Sequence, residues 1–277
     1  MLYFAEHLKN RRRSVMKKSA VLFIAMLAVS VFFIPRLTFA IGVEVAVGAW
    51  GQGPSGDISY KSELTTDNLD IKEDLNYDRK YKAFGRVKAD MPGLFPNIYF
   101  IATPMKFEET GSKTTDFTFG DTTFDITLPF DSSVQLNHYD IALYYSLPFL
   151  SIGSAGKLNA DLGLNARIVD FKAEVTGTEA ATGTDIAESE KFTIPVPMVY
   201  IGLQINPIDM LSLEGEFRGI AYSSNHYYDF IGRVKIRPLN QIFIAGGYRH
   251  EDIEIDHDDV KASITFSGPF IEAGLEF

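Results

Sequence analysis

The sequence predicts an all-β fold: a closed antiparallel up-and-down transmembrane β-barrel of about ten strands, apolar face outward. Three observations predict it. Apolar residues recur at every second position over long stretches, the signature of strands with one apolar face. These stretches run about 10–15 residues, enough for a tilted strand to cross a bilayer core. The links between them alternate short and long, as tight turns at one rim and longer loops at the other would.

Composition narrows the class. The chain has 277 residues, a net charge of −10, 46% apolar and 22% charged residues, and no cysteine. A mean hydropathy near zero with ordinary charge content excludes a disordered tail and a bundle of membrane helices. The lack of cysteine excludes a disulfide framework, a thiolate zinc site and a cysteine nucleophile. The acidic balance argues against nucleic acid as a partner. No residue pattern calls for a cofactor.

Residues 1–40 read as an export signal ahead of a barrel domain at 41–277. Lys17 and Lys18 follow Met16 as a charged segment, Ala20–Ile34 is apolar, Pro35 ends that stretch, and Thr38-Phe39-Ala40 supplies a cleavage site. The stretch Met1–Val15, with Arg11-Arg12-Arg13, is either an extended charged segment or an over-called start, Met16 then being the true one. Cleavage after Ala40 removes seven of 26 basic and one of 36 acidic residues, leaving a net −16 over 237 residues.

Strands are expected at about 41–52, 77–91, 97–109, 134–148, 157–172, 191–205, 210–222, 227–237, 241–250 and 266–277. Leu158, Ala160, Leu162, Leu164, Ala166 and Ile168 alternate with Asn159, Asp161, Gly163, Asn165 and Arg167. Tyr139, Ile141, Leu143 and Tyr145 repeat the pattern, as do Tyr228, Phe230, Val234 and Ile236. In a soluble sandwich such a row faces the core; in a membrane barrel it faces lipid. Strand length, the export signal and aromatics near strand ends (Trp50, Tyr60, Tyr81, Tyr99, Tyr139, Tyr222, Tyr227, Tyr228, Tyr248) favour the barrel. Short links fall at 92–96, 148–156, 206–209 and 238–240; longer polar ones fall at 53–76, 110–133, 173–190, 223–226 and 251–265. An even strand number puts both termini at the periplasmic rim.

The chain ends Ile271-Glu272-Ala273-Gly274-Leu275-Glu276-Phe277. This final alternating strand with a terminal Phe resembles that of bacterial outer-membrane β-barrel proteins. The resemblance implies recognition by the barrel-assembly machinery through Phe277. The opening Gly42-Val43-Glu44-Val45-Ala46-Val47-Gly48-Ala49-Trp50, with Pro54-Ser55-Gly56 after it, resembles an uncharacterised family of such barrels and implies no functional residues.

With the polar row inward, the lumen is nearly neutral, with basic groups including Arg86, Lys88 and Lys106 and acidic ones including Glu44 and Glu108. A tight loop at 223–226 sets Glu216 opposite Arg233 and Glu214 opposite Lys235. A turn centred on Leu239 sets Asp229 opposite Arg249. Each such pair steadies a ladder by about 0.2–1 kcal/mol. Ten strands leave a narrow or plugged bore. The role expected is therefore a non-enzymatic structural barrel, surface-loop binder or narrow pore for a small solute, a monomer among outer-membrane lipid and lipopolysaccharide. The alternative is a surface hydrolase, protease-like, using His250 with acids of the last loop: Glu251, Asp252, Asp256, His257, Asp258 and Asp259. Imidazole beside carboxylate activates water or holds a cation, but no catalytic or metal-binding motif frames these residues.

Overall fold

The computed structural model describes residues 41–60, 68–112, 117–119, 121–124, 129–179, 181–257 and 260–277. The export signal expected at 1–40 lies outside the described residues.

In chain order the elements are β1 (Gly42–Tyr60), β2 (Leu69–Asp70), β3 (Lys80–Asp90), β4 (Asn97–Thr103), β5 (Lys106–Gly111), β6 (Phe117–Phe119), β7 (Thr122–Phe124) and β8 (Phe130–Ser146). A single helical turn, α1 (Pro148–Gly153), follows. Then come β9 (Leu158–Thr178), β10 (Asp185–Ile208), β11 (Leu211–Tyr222), β12 (Asn225–Leu239), β13 (Ile242–His257) and β14 (Val260–Glu276). Successive long strands pair antiparallel, and β14 pairs with β1 from Glu44↔Glu276 to Tyr60↔Val260, closing the cylinder. Val43 and Phe277 exchange backbone hydrogen bonds of 3.1 and 2.9 Å at the seam.

The cylinder has ten staves, because β4 and β5 share one. Both pair with β8 in the same register, Thr103↔His138 and Lys106↔Gln135. Pro104, which has no N–H to give the ladder, interrupts them. Asn137 Oδ1 accepts the Met105 N–H at 2.9 Å beside the break. The segments β2 and β6–β7 are not staves; β2 pairs with β1 alone, and β6–β7 form a separate hairpin.

The outer face of the half near the termini is an apolar belt. Leu162, Leu164, Ile168, Ile141, Phe230 and Ile271 are 40–71% exposed, while Arg167, Arg218 and Asp229 on the alternate positions are fully buried. Such a surface suits acyl chains and would be a large liability in water.

Beyond the belt the chemistry of the two faces exchanges while the alternation continues. Along β9, inward Asn165 and Arg167 give way to inward Val169, Phe171, Ala173 and Val175, all buried. Outward Leu164 and Ile168 give way to outward Asp170, Lys172 and Glu174. The adjacent apolar pair Ile168-Val169 marks the crossing. The stretches expected as long loops at 173–190 and 251–265 are therefore mostly continued strand, forming a crown above the belt with polar walls and an apolar centre. Outside the bilayer water covers the wall, so only an apolar interior is stable.

Three aromatics expected at the interface point inward instead. Trp50 and Tyr99 are 0% exposed and Tyr227 is 6% exposed. Tyr81, Tyr139, Tyr222 and Tyr248 do lie on the outer face.

Candidate functional site: the filled lumen and the crown

Two ionic networks occupy the lumen within the belt. In the one nearer the termini, Arg86 bonds Glu272 through both Nε and Nη2, at 2.8–3.2 Å, and pairs with Glu44. Lys235 reaches Glu44 at 2.7 Å and Glu214 at 3.0 Å. Arg233 lies 3.1 Å from Glu214 and 2.9 Å from Glu216, and Glu216 also takes Lys88 at 3.2 Å and Arg218 at 3.0 Å. The second network centres on Asp229, which accepts from Arg167 at 2.5 Å and from Arg249 at 2.8 Å. Arg167 also bonds Asp140 at 2.8 Å, Arg249 bonds Glu251 at 2.5 Å, and His138 stands 3.2 Å from Glu251.

Aromatic faces wall these charges. Arg218 lies between Tyr99 and Tyr200, at 4.9 and 5.1 Å from the ring centres. Arg249 sits 4.7 Å above Trp50, and Arg167 sits 4.6 Å above Tyr227. These contacts explain the three inward aromatics: each covers a guanidinium where water is scarce.

The register differs from the expected one by two residues. The link after β11 is only Ser223-Ser224, with Tyr222 opposite Asn225 and Ser223 in the left-handed region at φ 57°. That places Glu214, not Glu216, opposite Arg233, and Ser212 opposite Lys235. On β12–β13, Asp229 faces Glu251 and Arg249 faces Ile231. The ion contacts Glu216–Arg233, Glu214–Lys235 and Asp229–Arg249 are diagonals, within reach of long side chains. A shift of two residues keeps every residue on its face, so the lumen composition is unchanged.

Lys106 and Glu108 are not lumen residues. They lie on the outer face of β5 with side chains 45% and 62% exposed, paired with each other at 2.5 Å. Their inward neighbours are Met105 and Phe107, both buried. Glu251, expected in the last loop, is fully buried in the lumen instead. The signal for both lies in the exchange of faces: Phe107, Ile253 and Phe266 carry the inward phase.

Above the ionic networks the crown is filled. Phe107 stacks between Tyr77 and Phe266, each at 5.7 Å, and Phe117 packs on Phe124 and Phe130 at 5.4 and 4.9 Å. Ile58, Leu69, Leu75, Leu136, Phe171 and Ile264 join one buried cluster with them. A cavity among Arg86, Arg233 and Arg249, walled by Trp50, Phe84 and Ile101, measures about 10 Å³. That is about the room one water needs.

Among the described residues of the hydrolase alternative, Glu251 points into the lumen, away from outward-facing His250 and Asp252. His250 faces outward with its ring 6.5 Å from that of Phe230. Asp252 Oδ2 lies 3.1 Å from His226 Nε2, and the Asp256 N–H donates to Asn225 Oδ1 at 2.6 Å. The His257 side chain, Asp258 and Asp259 lie outside the described residues. Among the described residues no group of three His, Asp or Glu side chains is arranged to hold a metal.

No protein-family model and no curated protein matches this chain. Solved structures similar to it are membrane barrels. The translocator domain of the autotransporter NalP from Neisseria meningitidis is 11% identical, with 95% of this chain and 98% of that one covered and a TM-score of 0.46. Ail, the attachment invasion locus protein of Yersinia pestis, solved with the heparin analogue sucrose octasulfate, is 10% identical over 86% and 99% of the two chains, at a TM-score of 0.34. The toluene transporter TodX of P. putida is 8% identical over 88% and 90%, at 0.27. The closed ten-stave ladder and the apolar outer belt give this chain the architecture of a transmembrane β-barrel.

Proposed function

We propose that this protein is a sealed, non-enzymatic outer-membrane barrel whose working surface is the outside of its crown. One observation carries this reading: the bore is closed twice, by paired side chains within the belt and by an aromatic plug above them. A path for even a small solute would require breaking buried ion pairs, each costly to separate. Among the described residues, the burial of Glu251 in the lumen, away from His250, supports the non-enzymatic reading over the hydrolase. Insertion through the barrel-assembly machinery, with Phe277 as its recognition residue, belongs to the same proposal.

Planar-bilayer recording of the purified barrel tests it. The expected result is no stepwise conductance above the bare bilayer. Stable single-channel steps would replace the sealed reading with the pore. Peptide or lipid turnover that disappears in His250→Ala would establish the hydrolase.

A further inference from the structure

The crown wall is not of even height. β9 and β10 stay paired from Leu158↔Ile205 up to Thr178↔Asp185, but the ladder between β10 and β11 stops at Val199↔Gly219. Extending that register sets Tyr222 level with Val196, so the Ser223-Ser224 turn ends β11 just above the belt. From Asp185 to Thr193, about 27 Å, β10 therefore has no strand beside it on that side among the described residues. The opposite edge of the same sheet is covered. Beside β5, Asn76 Nδ2 donates to the Thr110 carbonyl at 3.0 Å, and the Ser112 N–H donates to the Asp74 carbonyl at 2.9 Å.

Backbone parity defines what the β10 edge offers. The Asn206 N–H donates to the Lys157 carbonyl at 2.7 Å, in register with the rest of the β9–β10 ladder. Even-numbered residues of β10 thus bond β9, and odd-numbered ones turn their N–H and C=O groups away from it. Pro195 and Pro197 are odd, so they leave the β9 ladder whole while ending the one with β11. Above them Ala187, Ser189, Lys191 and Thr193 keep their N–H groups on the open side. Edges of this kind are ordinarily blunted along their length; here the prolines guard only the lower end.

The side chains beside the edge add a pattern. Ile194 is on the inward phase yet 41% exposed, although Val169 directly opposite it on β9 is buried. Phe192, half-buried, stacks on Phe171 with ring centres 4.6 Å apart. Glu190 on the inward face and Lys191 on the outer one have no ion pair among the described residues. An incoming strand would meet apolar surface and a negative charge on one face and a positive charge on the other.

We infer that the β10 edge from Asp185 to Thr193 binds an extended segment of another polypeptide by strand addition. The matching segment alternates, with apolar and basic side chains on the face toward the crown centre and an acidic one opposite Lys191 on the other. A second copy of this chain does not fit. Two copies in one membrane point the same way, so a two-fold axis would bring their β10 strands together in parallel with like residues at one height. Odd residue then faces odd residue, N–H toward N–H and C=O toward C=O, and no ladder forms. The inference deepens the reading of the crown as the working surface. The tests separate: conductance steps would sink the sealed bore and leave the edge standing, and failure at the edge would leave the sealed bore standing.

The probe is a labelled synthetic peptide, Thr-Val-Glu-Lys-Thr-Lys-Thr-Val-Lys, written to pair antiparallel with Asp185–Thr193. Fluorescence anisotropy with the folded barrel in detergent is expected to show saturable binding. Methylating the peptide's edge-facing backbone nitrogens, with every side chain kept, is expected to weaken it about tenfold or more. Ser189→Pro should weaken it to the same degree, and the variant should keep its heat-modifiable mobility because position 189 lends no N–H to the β9 ladder. Lys191→Glu should weaken the peptide and be rescued by a peptide carrying Lys in place of its Glu. Bound peptide should slow amide exchange at Ala187, Ser189, Lys191 and Thr193 and leave Glu188 and Glu190 unchanged. Absence of saturable binding, equal binding of the methylated peptide, or unchanged exchange at the odd positions overturns the inference. Slowed exchange there that tracks barrel concentration without peptide overturns the choice of a foreign strand in favour of a second copy. The methylated peptide is used with wild type, so it decides even if Ser189→Pro folds poorly.

Discussion

Asp229 holds two guanidinium groups at once, Arg167 and Arg249, and all three are essentially excluded from solvent. Removing its charge strands both cations in a place where water cannot easily reach them. Asp229→Ala is therefore expected to cost about 3–5 kcal/mol, read as a lower urea midpoint for loss of heat-modifiable mobility. In the crown a different residue sets a pH limit. Burial pushes the Tyr77 phenol up to about 12. The folded state then keeps the proton that the unfolded chain releases near pH 10. Stability contributed by the neutral phenol is present below pH 10 and falls between pH 10 and 12. Wild type should lose melting temperature over that window, and Tyr77→Phe should lose less, as followed by thermal scans at stepped pH.

At the scale of elements, the closing ladder between β1 and β14 depends on a local exception. Gly56 has φ of +111°, and a Cβ added there would come 1.9 Å from the Ser263 carbonyl oxygen. Gly56→Ala should open the upper part of this seam, with faster amide exchange at Ser55–Ser59 and Ala262–Thr265 while the lower rungs near Val47 stay protected. The plug behaves as a unit of another kind. Phe107 makes stacked contacts with both Tyr77 and Phe266, so Phe107→Ala leaves a cavity within a packed cluster. A loss of about 3–5 kcal/mol is expected, again in urea unfolding. The ionic networks below remain intact in that variant, and conductance should stay absent. Two independent closures thus predict that no single crown substitution yields a channel.

For the whole molecule, the seam joins the first and last strands through the hydrogen bonds between Val43 and Phe277. Deleting Phe277 is expected to lower the fraction of chain recovered as inserted barrel several-fold, measured by protease protection and gel mobility in cells. Much of this architecture was legible in the chain: period-two alternation set the staves, the apolar rows set the lipid face, and the charges at Glu214, Glu216, Asp229 and Arg233 lay on the inward phase. The exact partners were not legible, because a link shortened to Ser223-Ser224 slides the register by two residues and long side chains then meet diagonally. The crown was not legible either. Its polar outer residues read as loop, although the doublet Ile168-Val169 records where the faces exchange. By itself, then, the sequence determined a ten-stave barrel and which phase of each strand points inward, because alternation is local and survives any register. Only the tertiary structure decided that the bore is filled and that β10 rises past its shorter neighbour β11. Both depend on which residues distant in the chain arrive side by side, and that is settled by turn length and closure rather than by any one strand.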